Sequence, residues 1–403
     1  MNPLVLYRLL IFAFVLCITM QRTVRGQTLA GIDVLVKNQF VNLTGRRVGL
    51  ITNQTGVNAA GESTMTLLAD ADNVDLVALF SPEHGFAGQL DQSEISDSED
   101  QSTGIKIHSL YGKTRVPTKE MVQGIDTLVF DIQDIGTRFY TYISTMGGAM
   151  RAASKYGLRF VVLDRPNPIN GVTVSGPVLD AGGESFVGYH TLAVRHGMTI
   201  GELAEMFRSE WDIDIELEII PMQNWNPKQM FDSTGRLWVN PSPNMRCLTQ
   251  AILYPGVGLL ETTNVSVGRG TDTPFEVLGA PWIHPTEFAQ ALNQTNLPGV
   301  VFVPVKFQPD SSKYEGEICG GVNIVITNRD RFDATDCGWL LARTLRVMYE
   351  KEWDTQSLNR LLVDEVTKNA ILATQSVDSI KSGYAKELQE FRQRREAFLL
   401  YPR

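Results

Sequence analysis

The sequence predicts an α/β fold, a parallel sheet with flanking helices, followed by a smaller α+β domain. Two observations carry this. Between residue 45 and about residue 225, short β-branched runs alternate with helical stretches, the pattern of right-handed βαβ units. From about residue 229 onward the alternation is lost. The 403-residue length also exceeds what one ordinary core supports, so two domains are expected.

Four strand-like runs define the first domain. RVGLIT leads into Asn53, Gln54, Thr55 and Gly56. VDLVALF leads into Ser81, Pro82, Glu83, His84, Gly85 and Phe86. TLVFDI leads into Gln133, Asp134, Ile135, Gly136, Thr137 and Arg138, and RFVVL leads into Asp164, Arg165, Pro166, Asn167 and Pro168. In an open parallel sheet, ligands bind beyond the carboxyl ends of the strands. Four such ends with carboxylates, amides, a histidine and arginines predict the rim of one site. Helices are expected over Ser144–Tyr156 and Thr199–Trp211, the second with a capping box between Thr199 and Glu202. Ile215–Pro221 reads as the last strand, and Asn224–Pro227 as a linker. The expected division is therefore 27–228 and 229–403.

In the second part, Asn240–Met245 must be loop because two prolines oppose helix and ladder alike. A glycine-rich segment, Tyr254–Pro281, follows. Val300–Phe307 and Gly321–Thr327 read as strands, Ala334–Glu350 as a helix, and Tyr384–Leu400 as a charged amphipathic helix.

Composition narrows the partners. Apolar residues make up 43% and charged residues 20%, values of a soluble globular chain. The net charge of −9, with no basic run, argues against nucleic acid. After Arg8, Leu9–Met20 form a short apolar core. It falls short of the ~20 residues that span a bilayer and fits the core of a secretory signal, residues 1–26. Export to the periplasm or beyond the cell is the expectation, with no stable membrane insertion afterwards. It would leave Cys247, Cys319 and Cys337, an odd count that makes no disulfide framework. Cys319 and Cys337 can pair, but buried thiols are the preferred reading. No Cys-x-x-Cys or His-x-x-x-His spacing occurs, so no metal site is expected. No G-x-G-x-x-G follows the first strand, and no P-loop or G-x-S-x-G elbow occurs. No cofactor is expected.

The clusters point to polar chemistry. Glu83, between Phe80 and Phe86 in sequence, is a candidate proton donor, because an apolar setting favours the neutral carboxyl. His84 adjoins it. Asp131 and Gln133 share a strand face, with Asp134 at the strand end. Arg138, Tyr140 and Tyr142 follow at alternate positions, and tyrosines suit sugar faces. Arg138 either neutralises Asp131 or Asp134 or contacts a ligand. Arg165 can grip a carboxylate at two points, and Asp164 reads as its turn-stabilising partner. In the second part, Glu261, Asn264 and Arg269 are the candidates, with Arg269 flanked by Gly268 and Gly270 and suited to an anionic group. Arg195 and His196 read as structural.

As a set, LITNQTG, FSPEHGF, FDIQDIGTRFYTY, LDRPNPING, NPSPNM and YPGVGLLETTNVSVGRGTDTPFE occur here in that order. They resemble the NamZ-type exo-β-N-acetylmuramidases, once described as domain of unknown function 1343, over about residues 30–403. The stretch Ser93–Ser102 departs from this likeness by being acidic and polar. The resemblance implies a Rossmann-like N-terminal domain, a distinct C-terminal domain and an active site in the cleft between them. It implies release of terminal N-acetylmuramic acid from the non-reducing ends of peptidoglycan fragments, with Glu83 as the catalytic glutamate. Saccharides of the MurNAc-GlcNAc type are the expected partners. Glycosidic cleavage needs a proton donor and commonly a second carboxylate. Asp131, Asp134 and Glu261 are the candidates for the second role, and the substrate's acetamide can replace it. The lactyl carboxylate calls for a cation: Arg138, Arg165 or Arg269. An esterase or amidase of cell-wall glycoconjugates, or a two-lobed sugar-binding protein, are the competing readings.

Overall fold

The computed structural model describes residues 26–88 and 95–403. The expected signal segment, apart from Gly26, and Ser93 and Glu94 of the acidic stretch lie outside the described residues. In chain order the N-terminal part contains α1 (Gly31–Lys37), β1 (Arg47–Thr52), α2 (Thr64–Ala69), β2 (Asp75–Ser81), β3 (Ser98–Glu99), β4 (Lys106–Ser109) and β5 (Thr127–Asp131). It continues with α3 (Tyr142–Tyr156), β6 (Arg159–Leu163), β7 (Ser175–Val178), β8 (Ala193–Arg195), α4 (Ile200–Glu210) and β9 (Leu217–Ile220). Then come α5 (Leu248–Val257), β10 (Val277–Ala280), α6 (Pro285–Asn293), β11 (Val300–Phe307), β12 (Cys319–Ile326), α7 (Ala334–Met348), α8 (Asn359–Leu362), α9 (Glu365–Leu372) and α10 (Val377–Arg395).

The large sheet runs β3-β4-β2-β1-β5-β6-β9. All its pairings are parallel except that of the short edge strand β3 with β4. Taken alone, the six parallel strands follow the Rossmann order, with the topological switch point between β1 and β5. Both faces are covered, and alternate residues go to opposite faces. Leu128, Phe130, Phe160 and Val162 join one apolar cluster, while Val129, Val161 and Leu163 join the other. The larger cluster continues without a break into α5, α7 and the antiparallel sheet β10-β12-β11.

Local signals behave as the sequence predicts. Thr199 and Glu202 form the capping box that starts α4, and Gly157 ends α3 in the left-handed conformation at φ 65°. The last long helix, α10, begins at Val377 rather than Tyr384, capped by Ser376, whose hydroxyl accepts from the Ser379 amide. Cys319 and Cys337 are buried and unpaired, as is the half-buried Cys247.

Candidate active site

The crevice at the switch point is where a dinucleotide would lie in a Rossmann fold. Here the chain fills it. Arg236, Leu237 and Trp238 fold against Thr55, Val57, Gln133 and Arg165, leaving about 10 Å3, no more than one water needs. Arg236 is clamped by Asp33 at 2.5 Å and by the Val57 carbonyl at 2.9 Å.

Beneath this plug the strand-end residues of β1, β5 and β6 bind one another. Arg165 grips Asp131 at two points, Nε–Oδ1 2.5 Å and Nη2–Oδ2 2.8 Å, and Thr64 also donates to that carboxylate. Gln133 donates to the carbonyls of Asp134 and Pro166 at 2.7 and 2.8 Å. Asn167 donates to the Met198 carbonyl at 2.9 Å and accepts from the Ile169 amide. Asn53 accepts from the amide and hydroxyl of Thr55. Asp164 takes the Thr199 and Tyr401 hydroxyls and the Gly201 amide. The guanidinium of Arg165 is turned away from Asp164 towards Asp131, so the expected Asp164–Arg165 side-chain pair is replaced by a link between β6, α4 and the C-terminus.

Arg138 is fully buried and neutralises neither Asp131 nor Asp134. Its guanidinium donates to the carbonyls of Pro177, Leu192, Leu361 and Leu362. Asp134 accepts from the Gly136 amide at 2.7 Å and stands 3.8 Å from His196. Burial pushes the Asp134 carboxyl up to about 7 and, with Arg395 and Arg195 nearby, drives the His196 imidazole down to about 3. Around neutral pH the imidazole is therefore neutral and the carboxyl is partly protonated.

Glu83 stands apart from this network. β2 ends at Ser81, and the next turn places His84 at φ 71° and Gly85 at φ 76°. A left-handed histidine costs of order 1–3 kcal/mol, a strain found where a loop must present a particular side chain. The turn directs Glu83 into a cavity of about 480 Å3. Thr141, at the N-terminus of α3, donates its hydroxyl to Glu83 Oε2 at 2.5 Å. Next to it, Tyr140 and Tyr142 meet edge to face at 5.0 Å, Tyr140 meets Tyr254 at 5.8 Å, and Tyr254 meets Phe275 at 4.7 Å. Burial raises all three phenols above their ordinary range, so the cavity wall offers neutral hydroxyls and apolar ring surface.

Gln54 acts at one remove. Its amide donates to the Asn240 and Pro241 carbonyls at 2.7 and 3.2 Å, and the Tyr142 hydroxyl donates to Pro241 at 2.5 Å. These bonds hold the proline-rich loop that brings Ser242, Asn244 and Met245 to the cavity. The lining also carries Glu261 ion-paired with Arg269, and Lys313 donating to the Glu261 carbonyl. Burial lowers the Lys313 pKa, with Glu261 opposing and Arg269 reinforcing the shift. Asn264 lies outside the cavity, bonded to the Glu352 carbonyl and the Asp354 amide.

Of the residues singled out from sequence, Glu83, His84, Tyr140, Tyr142, Glu261 and Arg269 come together at the cavity. Asn53, Gln54, Asp131, Asp134, Gln133, Arg138, Arg165, Asn167 and Asn264 do not line it. Sequence reasoning missed Thr141, Ser242, Asn244, Tyr254, Lys313 and Arg360. Tyr254 lay within a quoted motif and Thr141 between two chosen tyrosines. Lys313 had no local signal, since it sits in the connection between β11 and β12.

Comparison with known proteins agrees over nearly the whole chain. Residues 48–249 match the family described as exo-beta-N-acetylmuramidase NamZ, N-terminal, and residues 252–401 match its C-terminal counterpart. The chain is 44% identical over 375 residues to the peptidoglycan beta-N-acetylmuramidase NamZ of Bacillus subtilis (strain 168), covering 92% of this chain and 91% of that one. A crystal structure of a DUF1343 family protein from Bacteroides fragilis NCTC 9343 superposes with a TM-score of 0.87 at 36% identity, covering 93% of this chain and 99% of that one. A second from the same organism gives 0.76 at 30% identity, with the same coverage. A chain matched from residue 48 to residue 401 by both halves of one family, and 44% identical to one of its members over 92% of its length, belongs to the NamZ exo-beta-N-acetylmuramidases.

Proposed function

We propose that this chain is an exo-acting glycoside hydrolase that releases terminal N-acetylmuramic acid from the non-reducing ends of peptidoglycan fragments of the MurNAc-GlcNAc type. The observation that carries the reading is Glu83, held by Thr141 in a cavity that Glu261, Arg269 and Lys313 also line. Family membership supplies the reaction class and the peptidoglycan-derived substrate.

In this reading the muramic acid ring occupies the aromatic cavity. Its lactyl carboxylate meets Arg269 and Lys313. Glu83 gives its proton to the glycosidic oxygen as the C1–O bond breaks, and the proton leaves with the departing alcohol. Asp131 is bound by Arg165 and Asp134 is walled off from the cavity, so neither reaches the anomeric carbon. Glu261 is the other carboxylate on the cavity wall among the described residues, and it is paired with Arg269. The phenols are held neutral and serve as donors rather than nucleophiles. These placements favour attack on C1 by the substrate's own acetamide oxygen, a route some glycosidases take; water then opens the cyclic intermediate at C1, freeing N-acetylmuramic acid and returning a proton to Glu83.

The chain is further proposed to act after export, on the strength of the apolar run Leu9–Met20, and to divide into 27–228 and 229–403 with the cavity between the two parts. Cleavage of a chromogenic β-MurNAc glycoside, with release of free MurNAc from defined disaccharides, tests the activity. Binding without turnover would favour a two-lobed sugar-binding protein, and loss of acyl or amide groups with the glycosidic bond intact would favour an esterase or amidase.

A further inference from the structure

A second cavity, of about 500 Å3, abuts the first. The two share Glu83, Thr141, Val187 and Arg360. Beyond that shared wall the second cavity has its own surface, made by Tyr111 and Phe186, with Arg115 at its edge. The rings of Tyr111 and Phe186 lie 6.3 Å apart at 43°. The Arg115 guanidinium sits over Phe186 at 4.2 Å and over Tyr111 at 5.8 Å.

The position of Glu83 gives this surface a meaning. A proton donor in glycoside cleavage must reach the oxygen that bridges two sugars. One ring therefore lies on each side of its carboxyl. The cavity with Arg269 and Lys313 suits the acidic terminal sugar, as proposed above. The second cavity then lies where the departing sugar must go. Its volume falls within the range of about 300–1,000 Å3 that holds a small ligand, and its aromatic pair supplies the apolar plane and hydroxyl tip that suit a sugar face.

Both aromatic residues are fixed from behind. The Phe186 carbonyl accepts from Ser144 on α3 at 2.7 Å. The loop that carries Phe186 is tied to α8 and α9, since the Asp180 amide donates to the Val363 carbonyl at 2.9 Å and Asp180 Oδ2 accepts from the Glu365 amide at 3.0 Å. Tyr111 follows β4, the strand next to β2. The surface is thus built on β4, the strand beside the one that places Glu83, and on the helix that follows Thr141.

We infer that Tyr111 and Phe186, with Arg115 stacked on Phe186, form the binding subsite for the leaving-group sugar, the neutral N-acetylhexosamine released when terminal muramic acid is cut off. This rests on the muramidase reading of the adjoining cavity. The subsite binds the departing residue by ring stacking, and an exposed Arg115 meets acidic groups farther along the saccharide.

The test compares two substrates in the full-length mature protein. One is the MurNAc-GlcNAc disaccharide, which needs both cavities. The other is MurNAc β-fluoride, whose leaving group is a single atom and needs no sugar subsite. Phe186→Ala and Tyr111→Ala should each lower kcat/KM for the disaccharide by at least about tenfold and leave fluoride hydrolysis within about twofold. Free GlcNAc should inhibit the unaltered protein and inhibit both variants less, and Phe186→Tyr should restore disaccharide cleavage. Equal losses on both substrates, or unchanged disaccharide cleavage in both alanine variants, would overturn the subsite. If a variant does not fold, the GlcNAc inhibition of the unaltered protein decides: its absence up to saturating disaccharide competition overturns the proposal. Failure of the unaltered protein to cleave either substrate would instead remove the muramidase reading, and the subsite with it.

Discussion

Replacing Arg269 by alanine tests the assignment of the cationic lining. Arg269 and Lys313 are the cationic side chains beside Glu261 in the cavity, and their proposed partner is one lactyl carboxylate. The variant removes one of these two cations. A charge-assisted hydrogen bond contributes about 1.5–3 kcal/mol, so the loss corresponds to roughly 10- to 150-fold in kcat/KM. Arg269 and Glu261 are about a quarter exposed, at 28% and 22%, which keeps the expectation near the lower figure. The assay compares β-MurNAc and β-GlcNAc glycosides with one common leaving group. Arg269→Ala should reduce turnover of the MurNAc compound and leave the GlcNAc compound within about threefold. Glu261→Gln has the opposite sign for binding, because it frees the guanidinium from its competitor. The lowered Lys313 pKa adds a pH signature: preference for MurNAc should fade on the alkaline side below the ordinary lysine range. Removing Arg269, one cause of that lowering, should move the limb to higher pH. Equal losses on both glycosides, or a collapse of kcat at unchanged KM, would refute the carboxylate-clamp argument.

Further outcomes follow from the same geometry. Glu83→Gln should lower kcat by about 10²–10⁴-fold with little change in KM, read from the MurNAc disaccharide, and near-normal kcat would remove Glu83 as proton donor. Arg138→Met should destabilise the fold by roughly 3–5 kcal/mol in denaturant titration, since four buried carbonyls lose their donor; a change below about 1 kcal/mol would show that water replaces it. Burial raises the folded Asp134 carboxyl from 3.8 to about 7, so its ionisation costs nothing below about pH 4 and destabilises increasingly up to about pH 7, by at most about 4 kcal/mol. Asp134→Asn should accordingly gain stability relative to the parent at pH 8 more than at pH 4, and a pH-independent difference would place the proton elsewhere. Progressive fluorination of the substrate N-acetyl group should slow cleavage stepwise if the acetamide attacks C1, and a flat series would turn attention to Glu261.

The strands and most helices were legible because each has a local cause. Alternating apolar residues set β5 and β6 between two covered faces, and Thr199 with Glu202 sets the start of α4. The site was legible only in part, and the limit is physical. A strand end rich in polar groups signals that those groups need partners, not which partners they find. Asp131, Gln133, Asn167 and Arg165 satisfy one another or nearby backbone. Arg138 is used to tie β7, β8 and α8 together. The pairings that tie these residues to other elements are not local in sequence: Arg138 and Leu361 are 223 positions apart. Lys313 was illegible for the same reason, since its role depends on where the β11–β12 connection comes to rest.

What separates the strand end that faces the cavity from those that do not is the plug over the switch point. Arg236 to Trp238 close the crevice between β1 and β5, leaving no room for a ligand. A Rossmann order therefore persists here without its usual binding position. β2 lies one strand away on the other side of β1, so its turn escapes the plug. The consecutive left-handed residues His84 and Gly85 turn Glu83 towards the wall shared by the two cavities. Glu83 accepts from a hydroxyl, that of Thr141, whereas Asp131 is gripped by the Arg165 guanidinium. Asp131 has both carboxylate oxygens engaged by Arg165 and does not line the cavity, whereas Glu83 does. In this fold a structural acid thus differs from the proposed proton donor by whether its strand end lies under the plug or opens on the cavity.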